Sequence, residues 1–201
     1  NSTLAVALLI IIGRITGFTR EWLLSSISGA NEQTDVAVVL LTFPDLIVSL
    51  LLGGGLSTSL IPYLSSVESQ KKKTLIRQIS IFVGLSFFAF ALFFAFNLEI
   101  IWNLLAPGLG QEIKQESNNY FLIIIFSLPF TAVTGVLTAY LNSKSHFKVA
   151  ASGTILFNTG IIFGLILNIP ILWRITIGVI IGSLLRFFAQ NNFVKLFKEA
   201  S

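Results

Sequence analysis

A few charged residues interrupt the apolar segments of this chain, and their chemistry indicates what those segments could bind. Arg14 lies near the middle of the first apolar segment, and Arg20 and Glu21 follow within it. A charge at the centre of a bilayer costs about 2.5–3.5 kcal/mol on insertion scales, so it should face a bundle interior or a water-filled cavity. The arginine fork bonds phosphate or carboxylate bidentately and keeps its charge at any relevant pH. The arginines therefore predict a cavity for an organic anion, such as a phosphorylated lipid, a sugar diphosphate or a carboxylate.

Two aspartates belong to the same candidate site. Asp35 opens the second apolar segment, and Asp45 follows Pro44 within it. A structural interpretation of Asp35 is equally open, because the helix dipole favours an acid in the first turn of a helix.

The arginines also have structural alternatives. Arg20 and Glu21 could pair with each other or lie near an interface, and Arg186, in the last apolar segment, could snorkel to the membrane surface. Arg14 lies too deep to snorkel easily, so its structural alternative is a buried ion pair. Gly13 and Gly17 flank Arg14 at a GxxxG spacing, which would let a neighbouring helix approach closely.

The composition of the 201-residue chain defines its class. Hydrophobic residues make up 54% of it and charged residues 11%, and the mean hydropathy is +0.87. Soluble domains are about 45–50% apolar and about 25% charged, so this chain has too few charges to cover a water-facing surface. The composition excludes a soluble globular enzyme, a disordered chain and the usual kind of nucleic-acid module, and it predicts an all-α polytopic membrane protein. The start at Asn1 and the absence of methionine suggest a fragment or a trimmed sequence.

Apolar segments long enough to cross a bilayer, about 20 residues each, occur six times. We expect a bundle of six transmembrane helices that forms a single domain over residues 1–201. The spans are predicted at about 4–27, 36–60, 79–105, 120–141, 149–167 and 171–193.

Basic residues alternate between the links that join these spans. They are abundant after spans 2, 4 and 6 and scarce after spans 1, 3 and 5, and the abundant set is Lys71, Lys72, Lys73, Arg77, Lys144, Lys148, Lys195 and Lys198. The positive-inside rule then predicts that both termini are cytoplasmic. The net charge of +4 is interpreted as this topology signal, and no nucleic-acid partner is expected.

The second span contains residues that bend helices. Pro44 lies within it, and Gly53, Gly54 and Gly55 follow. Backbone groups freed in hydrocarbon must be satisfied by neighbouring helices or by a wet cavity, so we predict that Pro44 and the three glycines act in gating. Pro129, in the fourth span, is equally compatible with a tolerated kink.

The sequence contains few residues that could catalyse a reaction. The chain has no cysteine and a single histidine, His146, so Cys-based zinc sites and histidine clusters are excluded. Asp35 and Asp45 are about 15 Å apart along a helix, too far for paired acid and base work. We expect no enzymatic activity, no metal and no cofactor.

The residue pattern around the first two spans resembles a known family. The motif Arg-x-x-Gly-Phe-x-Arg, an acid, and then Gly-Ala-x-x-x-Thr-Asp resembles the opening of the MurJ (MviN) family of lipid II flippases, within the multidrug/oligosaccharidyl-lipid/polysaccharide exporter superfamily. The matching positions are Arg14, Gly17, Phe18, Arg20, Glu21, Gly29, Ala30, Thr34 and Asp35, followed by Leu105–Gly108, Pro129, Leu141, Asn142, Phe147 and Asn158.

The resemblance implies export of a peptidoglycan precursor, undecaprenyl diphosphate bearing a disaccharide-pentapeptide, from the inner to the outer leaflet of the bacterial inner membrane. Members of that family enclose a cationic cavity between two six-helix lobes and work by alternating access. The implied first-lobe cavity residues are Arg14, Arg20 and Asp35, and Asp45 joins them as a substrate-binding candidate. The implied partners are a lipid-linked anionic substrate, membrane lipids, and a second lobe of the same protein or a second copy.

The second span departs from the family pattern. Where the family usually has Asn, two arginines and Glu after the proline, this chain has Asp45, Val48, Ser49 and Gly53. Members of the family have fourteen helices, whereas six are predicted here. Two alternatives to a lipid II flippase therefore stay open: an exporter of another polyprenyl-linked glycan or small molecule, and a non-transporting membrane scaffold or truncated remnant.

Overall fold

The computed structural model describes residues 2–51, 61–66 and 69–194. Within these ranges the chain is helical and contains no strand, which confirms the all-α class. The helices are α1 (Ser2–Ser28), α2 (Glu32–Leu51), α3 (Ile61–Ser66), α4 (Ser69–Ala95), α5 (Leu98–Leu105), α6 (Gln111–Ile125), α7 (Leu128–Ser143), α8 (Phe147–Ile166) and α9 (Ile171–Val194).

Four of the predicted spans coincide with single helices. Spans 1, 5 and 6 correspond to α1, α8 and α9, and span 2 corresponds to α2 as far as Leu51. The rest of predicted span 2, which includes Gly53, Gly54 and Gly55, lies outside the described residues.

The third predicted span has the wrong boundaries. Its helix, α4, begins at Ser69 and ends at Ala95, and the separate short helix α5 follows. Asn97 ends the continuity because its backbone leaves the helical region, with φ −134° and ψ 44°. Its side-chain Nδ2 also donates to the Phe93 carbonyl at 2.8 Å, the kind of local bond that competes with a continuing helix.

The fourth predicted span is two helices, α6 and α7, that meet at an angle of 41°. Pro129 explains the break, because proline lacks a backbone N–H and its ring clashes with the preceding turn of a helix. It lies in the first turn of α7, where proline is well tolerated. Pro129 therefore marks a helix start rather than a kink inside one helix.

Length and composition identify α4, α8 and α9, among the described residues, as helices able to cross a membrane, with the α6–α7 pair as a possible fourth span. Helices α1 and α2 are not in this set. α1 carries Arg14, Arg20 and Glu21 within a short stretch, and α2 carries Asp35 and Asp45. Their membrane placement stays a prediction.

The closest helix packing joins α8 to α9 through glycines. A Cβ on Gly160 would lie 2.4 Å from the Gly182 Cα, and a Cβ on Gly164 would lie 2.7 Å from the Gly178 Cα. Each helix thus places two glycines four residues apart at the contact, the spacing that lets membrane helices approach closely. These contacts also show that α8 and α9 run in opposite directions.

Helix directions place the basic links together. α1 runs parallel to α8, since Gly13 faces Thr154 and Gly17 faces Asn158. α7 runs parallel to α9, since the Phe130 ring contacts Phe187 and the Thr138 hydroxyl donates to Gln190 at 3.2 Å.

The start of α4 lies at the same end as the end of α7, because Leu75 and Ile76 of α4 pack in one hydrophobic cluster with Ala139 and Tyr140 of α7. Val6, near the start of α1, and Lys148, at the start of α8, line one surface pocket at this end. The basic links after predicted spans 2 and 4 therefore share one end of the bundle with the start of the chain.

Candidate functional site

Arg20 is the centre of a polar network inside the helical bundle. Only 8% of the residue is exposed. Its Nη1 donates to Asn158 Oδ1 at 3.0 Å and to Asp45 Oδ2 at 3.4 Å, and its Nη2 donates to Glu21 Oε1 at 2.6 Å. The guanidinium thus links α1 to α2 through Asp45 and to α8 through Asn158.

The glycines of α1 allow this network to form. A Cβ on Gly17 would lie 3.3 Å from Asn158 Nδ2, so a larger residue would push the amide away. Asn158 Nδ2 also donates to the Gly13 carbonyl at 3.2 Å and to Thr16 Oγ1 at 3.3 Å. The close approach predicted from the Gly13/Gly17 spacing is confirmed, and the helix that approaches is α8.

The two acids of the network stand at its rim. The side chains of Glu21 and Asp45 are 52% and 43% exposed, against 10% for that of Arg20. A buried arginine must be paired to offset its desolvation, and these acids do so while staying in contact with solvent. A larger anion reaching the rim would compete with them for Arg20.

Pro44 and Asp45 lie on the side of α2 that faces the bundle interior, next to Arg20. Pro44 is buried within a continuous helix, and its ring leaves the carbonyl one turn earlier without a helical donor. Together with Arg186 and Ser183 of α9 and Thr131 and Thr134 of α7, they line a small internal cavity of about 10 Å³.

Arg186 lies against this cavity and is only 8% exposed. The expectation that it snorkels to the membrane surface is wrong. Gly153 of α8 makes room for it, because a Cβ there would lie 3.0 Å from Arg186 Nε. The side chain therefore stays inside the bundle, between α8 and α9.

Arg14 and Asp35 do not join the network. Arg14 is exposed, and it has no hydrogen bond or ion pair with any described residue, so the buried ion pair considered for it is not formed within the described ranges. Asp35 is exposed in the first turn of α2, where Asn31 Oδ1 accepts from the Thr34 N–H at 2.9 Å and caps the helix. The predicted group of Arg14, Arg20, Asp35 and Asp45 thus divides, and only Arg20 and Asp45 are in contact.

Asn158, which belongs to the network, and Arg186, which lines the neighbouring cavity, were not among the predicted site residues. Asn158 and Arg186 each carry a strong polar group within an otherwise apolar helix, and a polar side chain in a membrane span is by default a candidate for an inward position. Applying that rule to the last two spans as strictly as to the first would have identified both.

The helix bundle and its buried ionic network define a multi-pass helical membrane protein with charged side chains in its interior. Comparison with known families makes this specific, because residues 24–200 match the family model described as "Lipid II flippase MurJ". The chain therefore belongs to the MurJ family, which confirms the resemblance inferred from its motifs. The matched region begins after Arg14 and Arg20.

Individual relatives agree with the family match. The probable lipid II flippase MurJ of Buchnera aphidicola subsp. Acyrthosiphon pisum is 28% identical over 201 residues, which cover 95% of this chain and 39% of that protein. The lipid II flippase MurJ of Thermosipho africanus is 25% identical over 189 residues, which cover 94% of this chain and 40% of that protein. The chain thus spans about two fifths of the length of these relatives.

A solved structure shares the fold. It is titled "Lipid II flippase MurJ, inward closed conformation", and it superposes with a TM-score of 0.83 at 24% sequence identity. The match covers 96% of this chain and 42% of the other. The fold is therefore that of one part of a longer helical protein.

Proposed function

We propose that this chain forms one lobe of a lipid II flippase, which moves undecaprenyl-diphosphate-linked muropeptide from the inner to the outer leaflet by alternating access. The observation that carries the proposal is the family match over residues 24–200. The names of the relatives support it, and so does a buried arginine network open at one rim. The proposal makes the protein a transporter rather than an enzyme.

The proposed substrate contacts are Arg14, Arg20, Asp35 and Asp45. Arg14 supports this assignment because its guanidinium is exposed and engages no described residue, which leaves its fork available to a diphosphate. Arg20 would contribute by exchanging its rim acids for the substrate. Asp35 lies a full helix segment away from Asp45, so it would contact a different part of a long substrate.

The proposed gate is α2. Pro44 is buried beside Asp45, so bending at the proline would move an acid that contacts Arg20 at 3.4 Å. Gly53, Gly54 and Gly55 are proposed as a second place of bending, in a segment outside the described residues. Rocking of one bundle against another around a central site is the general pattern of secondary transporters.

The proposed setting is the bacterial inner membrane, with both termini of this chain cytoplasmic. The alternation of basic links supports this orientation, because those links meet at one end of the bundle. The greater length of the relatives supports a second lobe in the same protein or in a second copy.

Arg14→Ala in the full-length protein tests the proposal. We expect loss of lipid II translocation in inverted vesicles or proteoliposomes, with unchanged membrane insertion, because the exposed fork would no longer hold the diphosphate. Arg77→Ala, which removes an exposed arginine of α4, a helix that contributes no residue to the network or the cavity, is the matched control and should translocate normally. Normal translocation by the Arg14 variant would contradict the assignment.

A second candidate function is export of another polyprenyl-linked glycan or a small molecule. The feature that favours it is the pairing of Asp45 with Arg20 at 3.4 Å, at a position where the family resemblance implies an asparagine. A binding assay that compares lipid II with other lipid-linked sugars would decide, and clear preference for another ligand would favour this alternative.

A further inference from the structure

The cavity behind Pro44 brings an acid and several unpartnered donors into one small space. Arg186, Ser183 and Thr131 line it together with Asp45. Arg186 Nε, Ser183 Oγ and Thr131 Oγ1 are buried and have no hydrogen-bond partner within the described ranges. The cavity volume of about 10 Å³ admits about one water molecule, which can bond these donors while Asp45 supplies the countercharge of Arg186.

We propose that Asp45 is exchanged between two arginines. It pairs with Arg20 in this structure, and it turns to Arg186 when an anionic group binds Arg20. Arg186 is then a positioning residue for anion binding, since it acts through Asp45 rather than on the anion. The inference rests on the proposed function in one respect, because the anion is the diphosphate of the proposed substrate.

The first argument is the weak hold of Arg20 on Asp45. Arg20 Nη1 lies 3.4 Å from Asp45 Oδ2, longer than the usual length of about 2.7–2.9 Å for a charge-assisted bond. Arg20 Nη2 lies 2.6 Å from Glu21 Oε1, and Nη1 also donates to Asn158 Oδ1 at 3.0 Å. Asp45 is thus the partner that Arg20 gives up at least cost.

The second argument is the set of donors that the displaced carboxylate would meet in the cavity. The guanidinium of Arg186 can only donate, and the hydroxyls of Ser183 and Thr131 can donate. Arg186 forms no ion pair with a described residue, so it is able to receive one. Charge-assisted bonds are roughly twice as strong as neutral ones, so the carboxylate can replace a water molecule there.

The third argument is the freedom of Asp45 to move. Pro44 has no backbone N–H, which removes one helical hydrogen bond immediately before Asp45. The Asp45 side chain is 43% exposed, so packing does not fix it at the rim. If Asp45 stayed there, its charge would repel an anion on Arg20. Its transfer to Arg186 removes that repulsion and favours binding of the anion.

The experiment measures the binding of radiolabelled undecaprenyl diphosphate to the purified full-length protein in detergent. Arg186→Gln should weaken binding about fivefold or more, as expected for coupled neighbouring groups, because the displaced Asp45 finds no cation. Ser183→Ala removes one hydroxyl of the cavity and should weaken binding less. Arg77→Gln, which changes an exposed arginine of α4, is the matched control and should bind with unchanged affinity. Melting midpoints measured without lipid show whether each variant is folded.

The decisive comparison repeats both cavity variants in protein that also carries Asp45→Asn. With no acid to exchange, Arg186→Gln and Ser183→Ala should each leave the affinity of the Asp45→Asn protein unchanged. If Arg186 attracted the diphosphate by its own charge, Arg186→Gln would weaken binding equally in both backgrounds, and that result would overturn the exchange. Full affinity of the Arg186→Gln protein would overturn it too. Should Arg186→Gln fail to fold, the two Ser183→Ala proteins decide by the same comparison.

Failure of the exchange is distinguishable from failure of the proposed function. Normal binding by the unchanged protein, with equal effects of the cavity variants in both backgrounds, contradicts the exchange alone. Absence of lipid binding by the unchanged protein contradicts the flippase proposal and the exchange together.

Discussion

At the scale of single residues, Asn158 is what makes a buried arginine tolerable in this bundle. Its Oδ1 accepts from Arg20 at 3.0 Å, while its Nδ2 donates to the backbone of α1 at Gly13. One amide therefore gives Nη1 of the guanidinium an acceptor and fixes α8 against α1. Buried donors left without a partner typically cost about 1–3 kcal/mol, so the network depends on this side chain.

Asn158→Ala should accordingly lower the stability of the folded protein by about 1–3 kcal/mol. The change removes an acceptor from Arg20 and leaves the Gly17 side of α1 without its contact. Thermal unfolding followed by tryptophan fluorescence measures the effect. Asn119→Ala, at an exposed position of α6, is the matched control, and equal melting of the two variants would show that the Asn158 bonds contribute nothing.

The sequence identified the right kinds of residue at this scale but not their grouping. Arg14 and Arg20 are six positions apart, and at about 100° per residue they point to faces of α1 separated by roughly a third of a turn. Which face becomes buried depends on where α8 packs, and the Gly13/Gly17 spacing indicated that face. Arg20 lies on it and Arg14 does not.

At the scale of elements, the α8–α9 pair is the most constrained contact in the described structure. A Cβ on Gly182 would lie 2.5 Å from the Phe157 carbonyl oxygen, and a Cβ on Gly164 would lie 2.3 Å from that of Arg174. Backbone cannot give way as a flexible side chain can. The two helices must separate to admit even a methyl group.

Gly182→Ala should therefore destabilise the protein by about 1–3 kcal/mol, the usual effect of overpacking. Arg186 and Ser183 lie on the same helix, so the separation should also disturb the internal cavity. Gly108→Ala is the matched control, because no atom lies within 4 Å of the Cβ it would add. Equal melting midpoints would mean that the helices can separate freely.

Pro44→Ala tests the proposed role of α2. Alanine restores a backbone N–H and removes the ring clash, which should leave the fold as stable or slightly more so, while a stiffer helix should slow lipid translocation. Parallel measurement of the melting midpoint and the translocation rate separates the two effects. An unchanged rate would exclude bending at Pro44 as a step in the cycle.

Apolar length predicted the helices well where one helix makes one span, as in α1, α8 and α9. It failed where a local competitor interrupts an apolar segment, as Asn97 does before α5 and Pro129 does before α7. It also placed the start of α4 too late, because a helix can extend into water through Lys71–Lys73, which hydropathy counts as a link. Local hydrogen bonding and ring geometry, rather than hydropathy, decide these boundaries.

At the scale of the whole molecule, the topology follows from helix directions that no single segment reveals. Parallel α1 and α8 place the start of the chain beside the α7–α8 link, which carries Lys144, His146 and Lys148. The opposite end carries the α1–α2 and α8–α9 links. Arg174 lies at this opposite end. Its Nε donates to the Ile169 carbonyl at 2.6 Å and its Nη1 donates to the Leu165 carbonyl at 3.2 Å, so its positive charge lies beside the carboxyl end of α8.

This arrangement predicts which links face the cytoplasm, and the absence of cysteine from the chain makes the test direct. Gln33→Cys lies at the start of α2, and Lys144→Cys lies at the end of α7, at opposite ends of the bundle. In intact cells, with any cysteine elsewhere in the full-length protein replaced by serine, a membrane-impermeant maleimide should label Cys at 33 and spare Cys at 144. Permeabilised cells should label both, which controls for reactivity.

The reverse labelling pattern would invert the orientation, and labelling of both positions in intact cells would rule out opposite faces. The orientation also matters for the transport proposal, because it decides which leaflet the exposed Arg14 approaches first. Arg14 lies near the middle of α1 and Arg20 lies farther from the start of the chain, so cytoplasmic termini would place Arg14 nearer than Arg20 to the leaflet in which the proposed substrate begins. Arg20 and its rim acids would then be met farther along the same helix, so a diphosphate moving outward would pass from an arginine that engages no described residue to one that is paired with two acids.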